Sequence, residues 1–205
     1  MVQNIHALPE VRSVSRPKTF DPDEALERAM HLFWERGYEG ASLRELLEAM
    51  EISRQSLYDT FGDKRQLFLR VLSRYRALVS VLIDDHLERS SPTLASLHGF
   101  LQYYLAQILQ TDRRACLMAM AALELGLRDE EVATHVRDYL ESLELAFVRV
   151  LRAAARAGEL RDDADPVALA RSLVTSLMGL SVSARAGLSR TALRQIVTTA
   201  LSILE

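Results

Sequence analysis

Ser53, Arg54, Gln55 and Ser56 are consecutive hydrogen-bonding side chains, and they stand where a short helix would begin. Arginine can pair with a guanine edge and glutamine with an adenine edge, so these types suit base reading in the major groove of DNA. Leu57 and Phe61 lie behind them and would hold the rear of that helix on a protein interior, as a recognition helix needs. Ser42, Arg44, Tyr58 and Lys64 suit phosphate oxygens, because hydroxyls, cations and helix N-termini position a protein on a duplex. Without that role, the same residues would make only a polar surface helix.

Other reactive types are sparse. Cys116 is the single cysteine, and it follows Arg113 and Arg114 near the start of an expected helix. Both features favour a thiolate, so Cys116 is a candidate redox or electrophile sensor. The plainer role is a small buried apolar residue. One thiol excludes an internal disulfide and a thiolate cage for zinc. Histidines 6, 31, 86, 98 and 135 show no pair at ligand spacing. His86 beside Asp84 and Asp85 comes nearest to a metal site, though a solvated helix end explains it as well. No glycine-rich phosphate loop or nucleophile elbow occurs. No metal or cofactor is expected, and no enzyme. Cys116 with His98 or His135 is the enzymatic alternative.

The elements that must position these residues are helices. Residues 1–20 lack periodicity and read as a mobile arm. Asp21-Pro22 then supplies an N-cap and a first helical residue, and Gly37 ends the helix. Ser42 with Glu45 forms a capping box for a second helix. Ser53 opens a short third helix that Gly62 stops, and Asp63 caps a fourth. Longer helices are predicted near 63–89, 92–110, 114–127, 129–157, 165–186 and 189–204, each separated by a capping or breaking residue.

The chain has 205 residues, of which 49% are hydrophobic, 26% charged and 6% aromatic. That composition is too apolar for a disordered chain. Eight Gly and five Pro give too few turn signals for an all-β sandwich or barrel. The uninterrupted apolar run Leu117 to Leu123 is far short of the ~18 residues of a membrane span. The first residues do not resemble a signal peptide, so a soluble, cytoplasmic, mostly helical protein without a membrane partner is expected. Net charge is −3, but it is segregated. Residues 21–51 carry nine acidic and three basic side chains, whereas 53–76 carry two acidic and six basic ones. The basic ones are Arg54, Lys64, Arg65, Arg70, Arg74 and Arg76, which suggest a local phosphate footprint; a solvated helix face is the alternative.

The last two predicted helices are nearly free of charge on one side. Leu169, Leu173, Leu177 and Leu180 mark that side on the first, and Ile196, Val197, Ala200 and Leu201 on the second. A single small domain has limited interior for both, so a homodimer interface is expected there.

The stretches ALERAMHLFWERGYEGASLRELLEAM and EISRQSLYDTFGDKRQLFLRVL, within residues 21–72, resemble the DNA-binding domain of TetR-family transcriptional regulators. Phe33 through Gly37-Tyr38, Ser42, Ser53 through Leu57-Tyr58, and Phe61-Gly62-Asp63-Lys64 with Leu67-Phe68 carry the likeness. One departure is Glu51, where the family commonly has Gly in the helix–turn–helix turn. Arg114-Ala115-Cys116-Leu117 and Ala121 to Leu125 resemble a subgroup more loosely.

The resemblance implies an all-α chain in two parts. Residues 21–68 would be a helix–turn–helix domain following the 1–20 arm, and 69–205 an effector-binding and dimerisation domain. It further implies a homodimeric repressor on double-stranded operator DNA, released by a small molecule. An effector pocket is expected among the helices of 63–157. Its candidate lining is Phe100, Tyr103, Tyr104, Cys116, Met118, Met120, Leu143 and Phe147, with Glu124 as polar anchor. These residues suit an apolar or aromatic effector, although such a stripe equally suits a core.

Overall fold

The computed structural model describes residues 20–88, 93–110 and 116–204. Among them the chain is helical, with no strand. In order come α1 (Pro22–Gly40), α2 (Leu43–Met50), α3 (Arg54–Phe61) and α4 (Lys64–Ile83), the last running into a π-helical turn, Asp84–Glu88. Then follow α5 (Leu94–Gln110), α6 (Leu117–Leu125), α7 (Glu130–Arg156), α8 (Pro166–Arg185) and α9 (Arg190–Ser202). Residues 1–19 of the expected arm, the breaks expected between the helices near 63–89, 92–110 and 114–127, and Arg113 and Arg114 lie outside the described residues.

Local chemistry accounts for the helix starts. Asp21 accepts the backbone N–H groups of Asp23 and Glu24 at the front of α1. Ser42 and Glu45 make the reciprocal capping box of α2, and Asp63 and Gln66 make another for α4. Ser53 accepts from the Ser56 N–H at the front of α3. Such side chains satisfy donors that a helix leaves unpaired at its first turn.

Two backbone positions shape the first three helices. Gly37 breaks α1 at φ 77° and ψ 176°, so the turn before α2 begins where the sequence places it. Glu51 adopts the left-handed conformation, φ 55° and ψ 41°, at the end of α2. Its carboxylate is 2.7 Å from Arg28 on α1, an exposed pair of small worth. Left-handed geometry costs a residue with a Cβ roughly 1–2 kcal/mol, while Gly loses about 0.5–1 kcal/mol more chain entropy on folding. Glu51→Gly should therefore raise unfolding stability by up to about 1 kcal/mol, measured by urea denaturation. A loss of stability would mean that the Arg28 pair outweighs the backbone strain.

Phe33, Leu46, Leu57, Leu67 and Phe68 form the interior of the first four helices, each at most 1% exposed. The Phe33 ring meets the Phe68 ring edge-on at 4.9 Å, which locks α1 to α4. Beyond this unit α4 continues into the second half and packs on α7.

α8 lies between α7 and α9. It is the one helix among the described residues long and apolar enough to cross a membrane by length and composition. Its apolar side, however, is packed inside the protein: Leu173, Leu177 and Leu180 are buried, as are Val197, Ala200 and Leu201 on α9. Those six side chains were expected at a surface between two copies. They instead fill the chain's own core, and only Leu169 and Ile196 stay partly exposed. The outward face of α8 includes Ala168, Ser172, Thr175, Gly179 and Val182, all exposed. Hydropathy marked which helices are apolar, but α7 and α9 take up the leucine side.

Candidate nucleic-acid interface and ligand cavity

α2 and α3 form a helix–turn–helix whose second helix presents its N-terminal end to solvent. Ser53, Arg54 and Gln55 are exposed, Ser56 is half-buried and Leu57 is buried behind them. Tyr58 is 47% exposed, which is high for a tyrosine with no interior role. The Gln55 amide donates to Asp59 one turn on, at 2.7 Å, and the Ser53 and Ser56 hydroxyls are 2.9 Å apart. Arg44 on α2 is exposed, 3.8 Å from Glu48. The Ser42 hydroxyl donates to Glu45 at 2.6 Å, so it is already engaged in its cap.

The basic stretch is largely not a phosphate footprint. Arg65 makes a two-pronged pair with Asp129, at 2.5 and 2.8 Å, and a third bond to Glu131 at 2.9 Å. Arg74 donates to Glu27 at 2.6 Å and Arg76 to Asp138 at 2.8 Å. These three arginines tether α4 to α1 and α7. The Arg70 guanidinium lies 5.7 Å from the Phe61 ring centre. Charge counting along the sequence cannot tell a tether from a ligand. Lys64 sits 4.5 Å from the centre of the Tyr38 ring; burial lowers its pKa, opposed by Glu39, Glu124 and Glu45.

Asp129 also caps α7, accepting the N–H groups of Glu131 and Val132. The Arg65 guanidinium holds its carboxyl below the ordinary range. The sign follows directly: the stabilisation is complete above the unfolded value, about pH 4, and disappears as pH falls through the lower folded value. Asp129→Asn should therefore flatten the acid limb of a stability–pH profile. An unchanged limb would show that the tether contributes nothing.

A cavity of about 410 Å³ lies among α4, α5, α7 and α8, within the usual range for small-molecule sites of ~300–1,000 Å³. Of the expected lining, Phe100, Tyr103, Tyr104, Cys116 and Leu143 face it, joined by Trp34, Tyr75, Gln107, Ile108, Tyr139, Leu177 and the α4 residues Leu78 to Leu82 except Ser80. Met118, Met120 and Phe147 are not in the wall: Met118 and Phe147 are buried core, and Phe147 backs Phe100 edge-on at 5.6 Å. Helical spacing found the right helices, but the rotation of each depends on packing.

Glu124 is also elsewhere. Its carboxylate accepts the Glu39 N–H at 3.0 Å, beside Gly37, and so joins α6 to the end of α1. Nothing in local sequence links residues 85 positions apart.

Cys116 is the N-cap position of α6, without a side-chain cap bond. It is 2% exposed, and its thiol donates to the Tyr139 hydroxyl at 3.4 Å. The thiol thus has a phenol beside it rather than an imidazole. Burial pushes the hydroxyls of Tyr75, Tyr104 and Tyr139 well above the ordinary tyrosine range. The Tyr104 hydroxyl donates to Ser181 at 2.5 Å, and the Ser181 hydroxyl in turn donates to the Leu177 carbonyl. His86 pairs with the Leu82 carbonyl at 2.9 Å and leans on Tyr103.

An all-helical chain with an exposed recognition-type helix and a separate apolar cavity defines a DNA-binding transcriptional regulator. Comparison with known proteins gives the family. Residues 25–71 match the model for bacterial regulatory proteins of the tetR family, and 93–200 match a tetracyclin repressor-like C-terminal domain. The chain is 34% identical over 194 residues to the HTH-type transcriptional regulator YezE of Bacillus subtilis (strain 168), covering 94% of this chain and 100% of that one. It is 32% identical to the HTH-type transcriptional repressor ComR of Escherichia coli (strain K12), over 94% and 92% of the two chains. A cysteine mutant of the TetR family transcriptional regulator CifR, complexed with 26bp double-strand operator DNA, superposes with TM-score 0.82. It shares 36% identity, covering 93% of this chain and 100% of that one. The chain belongs to the TetR family.

Proposed function

We propose that this protein is a homodimeric repressor that holds double-stranded operator DNA until a small molecule fills the cavity. Residues 21–68 act as the reader, and 69–205 carry the cavity and the dimer surface. The observation behind the reading is the front of α3: exposed base-reading types on a rear packed against α4. The CifR complex with operator DNA and the repressor ComR support it. Two readers in a dimer must match successive major grooves, roughly 34–36 Å apart or a multiple of that. α4 starts in the reader at Lys64 and ends at the cavity, so a ligand that tilts it changes reader separation. A hundredfold release needs about 2.7 kcal/mol of coupling, and operator must weaken ligand binding by the same factor.

The test begins with duplexes selected from a random pool. Arg54→Ala and Gln55→Ala should each cost about 1–3 kcal/mol at particular base pairs. Arg44→Ala and Lys64→Ala should weaken all sequences alike and reduce the salt dependence by roughly one unit of slope each. Tyr58→Phe should also weaken all sequences alike. Wild-type affinity in the Arg54→Ala and Lys64→Ala proteins would overturn these roles.

A second reading concerns Cys116, which stands in the cavity wall at the front of α6. An electrophile entering the cavity would meet its thiol. Under this reading, alkylation releases operator from wild type and leaves Cys116→Ser bound.

A further inference from the structure

Two properties of the cavity go beyond ligand-controlled release in general. First, among the described residues its wall contains no aspartate, glutamate, lysine, arginine or histidine. Its polar side-chain groups are tyrosine hydroxyls, the Gln107 amide, the Trp34 indole N–H and the Cys116 thiol. Tyr75, Tyr104 and Tyr139 are uncharged at neutral pH, as ordinary phenols are, and burial pushes their titration further up. An ionised ligand would leave water without a counter-charge, a cost that apolar contacts do not offset. Rings dominate what remains: Trp34, Tyr75, Phe100, Tyr103, Tyr104 and Tyr139.

Second, Trp34 is the one lining residue that comes from α1, whereas the others belong to α4 and later elements. The Tyr75 ring stands edge-on to it at 5.2 Å. Its neighbour Phe33 is fully buried against Phe68 in the core of the helix–turn–helix unit. The Trp34 and Glu35 carbonyls accept from Arg185 at the end of α8, at 3.3 and 2.8 Å. Trp34 thus sits with one side on the cavity and its backbone at the seam between the two halves of the chain. An occupant of the cavity can push on α1 with no intervening helix.

We infer that the cavity holds an uncharged, largely apolar ring compound, and that this compound acts on the helix–turn–helix unit by direct contact with Trp34. The inference rests on the reading of the cavity as the effector site.

Trp34 is the only tryptophan of the chain, so its fluorescence reports occupancy. The probes are biphenyl-4-carboxamide and biphenyl-4-carboxylate, alike in shape and different in charge. The amide should change Trp34 emission saturably and bind at least tenfold tighter than the carboxylate, by calorimetry at neutral pH. Equal or tighter binding of the carboxylate, or no saturable binding of either, overturns the ligand class. Affinity for a selected operator duplex is then measured with and without saturating amide. Wild type should lose at least tenfold. At amide concentrations saturating for the variant, Trp34→Leu should lose most of that drop, measured against its own affinity for operator when empty. Trp34→Phe should shrink the drop in the same direction, which keeps the test decisive if the leucine variant does not fold. An undiminished drop in a folded Trp34 variant overturns direct contact and leaves the effector reading standing. Amide binding to wild type with no drop overturns both.

Discussion

Gly179→Arg combined with Val182→Arg should give a folded monomer that binds operator DNA roughly 10²–10⁴-fold more weakly than wild type, the loss expected when two linked sites become one. Both residues lie on the outward face of α8 and are exposed. A Cβ at Gly179 would meet nothing within 4 Å, so the backbone there has room for a side chain. Arginine is also a better helix former than glycine, which stands roughly 0.8–1.0 kcal/mol below alanine while arginine lies close to it. Two added charges on each copy would face two more across a symmetric interface and repel them. Leu173→Glu gives the opposite outcome. Leu173 has no exposure at all, and an unpaired buried carboxylate costs several kcal/mol against a total stability of about 5–15 kcal/mol. That variant should fail to fold rather than dissociate. Sedimentation and far-ultraviolet circular dichroism separate the two outcomes. A double-arginine variant that remains dimeric would place the interface elsewhere.

The contrast between these two substitutions shows what was legible in the sequence. Helix starts were, because a cap is a contact between residues three apart: Ser42 with Glu45, Asp63 with Gln66, Ser53 with Ser56. The departure at Glu51 was visible too, and the chain keeps a left-handed turn there despite the missing glycine. The orientation of long helices was not. A leucine side on α8 looks the same in sequence whether α7 or a second subunit covers it. The arginines of α4 show the same limit, since their carboxylate partners on α1 and α7 are 47 to 66 positions away. Trp34 escaped notice as a cavity residue because it belongs to α1, outside the helices expected to hold a pocket.

Gly37→Ala should be among the most costly single changes in the helix–turn–helix unit, for two separable reasons. Its φ of 77° and ψ of 176° lie in a region essentially confined to glycine, where another residue loses roughly 1–3 kcal/mol. In addition, an added Cβ would stand 2.1 Å from a Glu124 carboxylate oxygen. The carboxylate must then move, and its bond from the Glu39 N–H is lost. Hydrogen bonds to charged groups contribute about 1.5–3 kcal/mol, and the low end applies at this exposed site. The total is therefore about 2.5–4.5 kcal/mol. A double-mutant cycle divides it. In a Glu124→Ala background the steric conflict is gone, so Gly37→Ala should cost only the backbone part, about 1–3 kcal/mol. Urea denaturation of the four proteins measures the difference. Equal costs in both backgrounds would mean that Glu124 does not hold the end of α1. The expected inequality has a functional consequence. α6 begins at Cys116 in the cavity wall and carries Glu124 near its other end, so the same helix touches the ligand site and the turn that leads into α2. Glu124→Ala should then weaken operator binding even with the cavity empty, although Glu124 is not among the base-reading residues.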